Sequence, residues 1–313
     1  MFSHMGGSRF PAGALGLLVN VGALAAFVVG CGPAPEGSPD ELIAQGWSNY
    51  RMEEYDRAIE CFESAAKKAP DGSDEHLHGL YGVAATWDMR RPGEDRQLAK
   101  TVYEQVVEAA PESDWAAWSL LALARQKHLA PVGEILDYAA IRDAYQRVID
   151  RFPHHLAGEE AFVFQQGTLL ASLDENDAQK VVTATTQFIE SHPASPFLSQ
   201  AYALLSSAYG TLGLGEEKLD AAIKGYETGE VDPTVFVDPQ GVYWNTAVAA
   251  EFDAGDFKTA REFYQRFIDE CPRDMKHYGA ILALKRMDRV EAAIREELLA
   301  ESSAAGNREG VNE

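Results

Sequence analysis

Six of the fourteen prolines stand at 70, 111, 153, 193, 233 and 272, at intervals of 41, 42, 40, 40 and 39 residues. A proline cannot continue a helix, because it has no N–H to donate and its ring collides with the preceding turn. Prolines at so even a spacing cut a helical chain into equal lengths, and such a chain folds as an array of like units rather than around one centre. The text before five of them is helical: ECFESAAKKAP, VYEQVVEAAP, AYQRVIDRFP, TTQFIESHP and FYQRFIDECP. Twelve residues before each proline come Ala58, Ala99, Ile141, Val181, Ala221 and Ala260. Eight before come Phe62, Tyr103, Tyr145, Thr185, Gly225 and Tyr264, and five before come Ala65, Val106, Val148, Phe188, Thr228 and Phe267. Steps of four and three place the three columns on one helical face, ready to pack on a neighbour. The fourth and fifth copies lose the aromatic, and in the fifth, AAIKGYETGEVDP, a slip of register is expected to hand its role to Tyr226.

Each of these helices follows another apolar-periodic segment: ELIAQGWSNYRMEEY, HLHGLYGVAATWDM, DWAAWSLLALARQ, GEEAFVFQQGTLLASL, SPFLSQAYALLSSAYGTLG and GVYWNTAVAAEFDAGDF. Ser113 reads as an N-cap, and so does Ser195 with Pro196 behind it, where a missing donor costs nothing. Gly255 and Asp256 read as a tight turn between two helices. Sustained two-residue alternation is absent, although VFV at 235–237 could be a short extended piece. The spacing predicts an all-α fold with two helices per repeat.

A small residue, an aromatic four later, an apolar residue three later and a proline five beyond resembles the tetratricopeptide repeat, with Gly46 and Trp244 in register on the first helices. The resemblance covers about 41–272 and is best in 41–70 and 240–272. It implies a right-handed superhelical solenoid of antiparallel helix pairs, about six repeats, with a capping helix over 273–301 and a disordered tail at 302–313. The period of about 40, against roughly 34 for the standard repeat, calls for insertions. RRPGED at 91–96 and HLAPVGEILD at 128–137 supply two of them. The resemblance also implies a concave groove lined by the first helices, where a partner's segment can lie. Trp47, Tyr50, Trp87 and Asn245 fall at or near groove-facing positions, the other place for each aromatic being the core between helices. Basic residues able to clamp a terminal carboxylate are sparse there, so the groove suits neutral or basic segments.

The run from Ala12 to Gly30 is apolar apart from Asn20 and follows a short region carrying Arg9, as a secretory signal requires. It ends Val28, Val29, Gly30, Cys31, which resembles the lipobox of bacterial lipoproteins and implies cleavage before a lipidated Cys31. Val28 and Val29 depart from its commonest form, and an uncleaved membrane helix is the other reading. Residues 1–30 are thus expected to be a signal peptide, and 31–40, with Gly32 to Asp40 holding three prolines and two glycines, a lipidated cysteine and flexible tether. With 27 Lys and Arg against 49 Asp and Glu, the chain carries a net −22 and repels nucleic acid and anionic lipid, so membrane attachment falls to the lipid. Cys61 and Cys271 lie in the first and sixth repeats, too far apart to bridge, and are expected to be free and packed.

No chemistry is foreseen. His76 and His78 could hold a metal with Asp74 or Glu75, yet a lone His-x-His at a helix start reads better as partly solvated. His154 and His155 lack further ligands, and the pairs Glu53–Glu54, Glu159–Glu160 and Glu296–Glu297 read as solvated faces. Phosphate loop, nucleophile elbow and HExxH are all missing, so no cofactor or catalytic residue is expected. The expected function is a lipid-anchored scaffold binding another protein of the bacterial cell envelope, facing the periplasm from the outer membrane. RFPHHLAGEEAFVFQQGTLLAS and SHPASPFLSQAYALLSSAYGTLG resemble repeats of the BamD outer-membrane assembly lipoproteins and of the periplasmic Tol-Pal coordination protein. That resemblance implies help in inserting β-barrel proteins, although six repeats and 313 residues depart from the usual BamD size. A reading of another class is an envelope enzyme or solute-binding lipoprotein built on the repeats.

Overall fold

The computed structural model describes residues 34–129, 133, 135–228 and 239–309, the side chains of 239, 240 and 301–309 excepted. The apolar run, Cys31, Pro233 and the VFV segment lie outside them. The helices are α1 (Pro39–Arg51), α2 (Tyr55–Lys68), α3 (Asp74–Met89), α4 (Arg96–Ala109), α5 (Asp114–His128), α6 (Tyr138–Arg151) and α7 (Leu156–Leu170). They continue as α8 (Glu175–Ser191), α9 (Leu198–Thr211), α10 (Gly215–Thr228), α11 (Pro239–Val248), α12 (Phe257–Glu270) and α13 (His277–Glu309). A π-helical turn, Ala249–Ala254, ends α11. Among the described residues there is no strand, and no helix is long and apolar enough to cross a membrane.

The chain divides into two compact units between Thr168 and Leu169, a point inside α7. In the unit ending at Thr168, α1 to α6 pack each on the next, as hairpins of an all-α repeat do. In the unit from Leu169, α8 packs on α9, α9 on α10, α11 on α12 and α12 on α13. The three columns read from the prolines form the core of four copies: Ala58, Phe62 and Ala65; Ala99, Tyr103 and Val106; Ile141, Tyr145 and Val148; Ala260, Tyr264 and Phe267 are all buried. Each large side chain so buried stabilises by about 1.5–3 kcal/mol. Phe62 is held between two glycines, because a Cβ on Gly46 of α1 or on Gly82 of α3 would stand 2.5 Å from its ring.

The weaker copies keep the core by other means. In the fourth, Thr185 and Phe188 are buried and Phe188 stacks on His192 at 4.7 Å. In the fifth, Gly225 keeps its register, with Tyr202 of α9 3.2 Å from where its Cβ would be, and Tyr226 turns instead to Tyr243 and Phe263 of the sixth copy. Tyr226 thus takes an aromatic role in the next interface rather than in its own. Cys61 and Cys271 are both buried.

Helix ends follow local hydrogen bonding. Ser38 and Glu41 form a capping box that starts α1 at Pro39, inside the expected tether. Ser113 caps α5 through the Ala116 N–H, while α9 begins at Leu198 after a turn in which the Ser195 hydroxyl accepts the Phe197 N–H. Gly255 sits at φ +68° and Asp256 caps α12 through the Thr259 N–H, which is the expected turn. The tail expected to be disordered from 302 is instead helical through Glu309, as no proline follows Pro272 to stop α13.

Candidate functional site

The expected groove residues fall in different units. Trp47, Tyr50 and Trp87 come together in the unit ending at Thr168, around a small core of Ala58, Phe62 and Val83. Trp47 stands edge-on to Phe62 at 4.9 Å and to Tyr50 at 5.5 Å, and Tyr50 meets Tyr55 at 5.8 Å. The Trp47 indole N–H donates to His78 Nε2 at 3.1 Å. Burial holds His78 neutral, its pKa pushed down to about 3, and pushes the Tyr50 hydroxyl up to about 12. Arg90 lies over the Trp87 ring at 4.9 Å. These aromatics are half-buried and pack between α1, α2 and α3.

Three further side chains from the sequence candidates have structural partners, and His76 is buried rather than solvated. His76 Nδ1 bonds the Ala66 carbonyl at 2.8 Å, Glu160 pairs with Arg125, and His155 Nδ1 accepts the Ala157 N–H at 3.0 Å. Asp88 accepts from the Gln126 amide at 2.8 Å while burial raises its pKa. Among the described residues no three or more His, Cys, Asp and Glu side chains gather as a metal site would need.

Asn245 is exposed in the other unit, on the wall of a cleft of about 820 Å³ between α9, α10 and α11. From α9 come Ser199, Ala203, Ser206 and Gly210, from α10 Lys218, Ala221 and Gly225, and from α11 Val242, Thr246 and Val248. Two hydroxyls knit α9 to α10: Ser199 Oγ donates to the Gly225 carbonyl at 2.8 Å and Ser206 Oγ to the Lys218 carbonyl at 3.0 Å. Lys218 Nζ is held by Asp253 at 2.5 Å. The wall, which Leu173 and Tyr226 complete, is therefore largely apolar and without a free cation among its described residues, while the Asn245 amide offers both a donor and an acceptor. Sequence reasoning found Asn245 and missed the rest. The usable signal was the Ser, Ala, Ser, Gly series at 199, 203, 206 and 210, whose four-three-four steps mark one face of α9 with no side chain large enough to fill it.

No curated protein matches the chain. Among solved structures it is similar to the Assembly Chaperone of RpL4 (Acl4), residues 1–338, at 17% identity over 83% of this chain and 86% of that one, with a TM-score of 0.38. The family model described as Tetratricopeptide repeat matches residues 42–72 and 242–274, the two best copies read from the sequence. The chain carries tetratricopeptide repeats.

Proposed function

We propose that the chain is a non-enzymatic scaffold, held at a bacterial envelope membrane by lipid on Cys31, whose cleft beside Asn245 receives a segment of another envelope protein. The cleft carries the reading: about 820 Å³ of space lined by the small face of α9 together with Leu173, Tyr226, Val242 and Val248, in a repeat type whose helix pairs serve protein–protein contact. Its size admits several side chains of an extended or helical segment, and Asn245 can pair with a backbone amide of that segment. The absence of an unpaired cation on the described wall favours neutral segments over a terminal carboxylate. Apolar residues 12–30 followed by Cys31 support the anchor, and net −22 disfavours nucleic acid.

Affinity purification from detergent-solubilised membranes tests it, comparing the wild type with Ala203→Trp, which fills the cleft from an exposed position. Loss of one reproducible partner by at least about tenfold, with an unchanged helical circular dichroism spectrum, is the expected outcome. An unaltered partner set would sink the cleft. Recovery of a β-barrel assembly complex would specify the BamD-like role, and isolation with only a bound small molecule would overturn the scaffold.

A further inference from the structure

In α5 and α9 the following second helix packs on one face of the first helix, although Ala203 and Gly210 on that face of α9 stay exposed. Counted from the proline that precedes a first helix, this face lies six, ten, thirteen and seventeen residues on. After Pro111 these positions are Ala117, Leu121, Ala124 and His128 of α5; the first three are buried and His128 Nδ1 bonds the Tyr145 hydroxyl of α6 at 3.0 Å. After Pro193 they are Ser199, Ala203, Ser206 and Gly210, two of which donate to carbonyls of α10. After Pro272 the same count gives Tyr278, Leu282, Lys285 and Arg289 of α13.

Helix α13 has the register of a first helix. In α5, α9 and α13 the position eight after the proline is small and buried, as Ser119, Ala201 and Ala280, whereas α3 has the half-buried His78 there. Ala283 and Met287 continue that buried face toward α12. The face that a following second helix would cover is open: Tyr278 is 67% and Leu282 44% exposed, and Lys285 and Arg289 are exposed beside them. On a chain of net −22 this is a locally basic apolar strip.

We propose that the open face of α13 is a docking surface for a helix of another molecule. The occupant is an amphipathic helix of a partner protein that lies antiparallel on Tyr278 and Leu282, as α12 lies on α11. Its apolar stripe has the chemistry of Ala260, Tyr264 and Phe267, a small residue followed by aromatics at steps of four and three. An antiparallel helix brings its N-terminal turn to Lys285 and Arg289, so that turn is acidic. Carboxylates there pair with the two cations and with the helix dipole. This strip is separate from the Asn245 cleft.

The test uses the whole chain and a fluorescent peptide of the α12 sequence, residues 256–270, carrying Lys258→Glu, with a control peptide carrying Asp256→Lys instead. Anisotropy is expected to show saturable binding of the acidic peptide, at least about tenfold tighter than the control and weakened by salt. Leu282→Glu, at an exposed position, is expected to abolish it. Lys285→Glu with Arg289→Glu is expected to reverse the preference between peptides, and Ala203→Trp is expected to leave binding unchanged, which separates this site from the cleft. Absence of binding, or binding indifferent to Leu282→Glu, overturns the proposal. So does light scattering that finds a wild-type dimer made monomeric by Leu282→Glu, since a second copy would then be the cover.

Discussion

His78 shows how a polar side chain at the edge of a repeat core is tied to one protonation state. Its Nε2 accepts the Trp47 N–H only while unprotonated, and burial lowers its pKa from the ordinary 6.5 to about 3. A depressed folded-state pKa means that the unfolded chain takes up the proton first. The contribution is therefore fully present above pH 6.5 and is lost as the pH falls toward about 3. Denaturant unfolding against pH is expected to lose up to about 1.4 kcal/mol per pH unit in that window from this one site. His78→Gln, which keeps an acceptor and cannot titrate, should flatten the profile by one proton; an unchanged slope would show that His78 is freely protonated in the fold. None of this was legible beforehand, since His-x-His spacing says nothing of an indole thirty-one residues away. The proline-anchored columns were legible because a side chain's face on a helix depends on spacing alone, whereas whether Trp47 meets solvent or Phe62 depends on how the neighbouring hairpin closes.

At the scale of elements, the π-helical turn at the end of α11 aims one carboxylate inward. Glu251 is buried there, accepts the Tyr264 hydroxyl at 3.0 Å and is gripped by Nε and Nη2 of Arg286 at 2.6–2.9 Å. One residue thereby joins the π turn, α12 and α13. Arg286 is partly exposed, which screens the pair, so Glu251→Ala is expected to cost about 2 kcal/mol rather than the larger sum for a wholly buried ion pair. Hydrogen exchange should show the loss as faster exchange in the first turns of α13, and a uniform increase across the unit would speak against a local joint. The π turn had no counterpart in the periodicity, because it is a single turn, too short to set a period of its own. The late start of α9 was missed for a similar reason. Ser195 has the side chain of an N-cap, and only the fold decides which N–H it meets.

For the whole molecule, 49 acidic against 27 basic residues make self-repulsion a general cost of folding. Raising NaCl from low ionic strength to 0.3 M should screen it and raise Tm by roughly 3 °C, equivalent to about 1 kcal/mol; a falling Tm would mean that ion pairs outweigh repulsion. All-α architecture and repeat count followed from the prolines, while the cleft did not, because the small-residue face of α9 marks an opening only once the neighbouring helices are placed. The position of Phe62 between Gly46 and Gly82 bears on how such a chain can be recombined. A segment cut from proline to proline and spliced elsewhere would set this ring against a foreign Cβ. The exchangeable module therefore runs from glycine to glycine, residues 46 to 82, out of phase with the prolines that make the repeats visible.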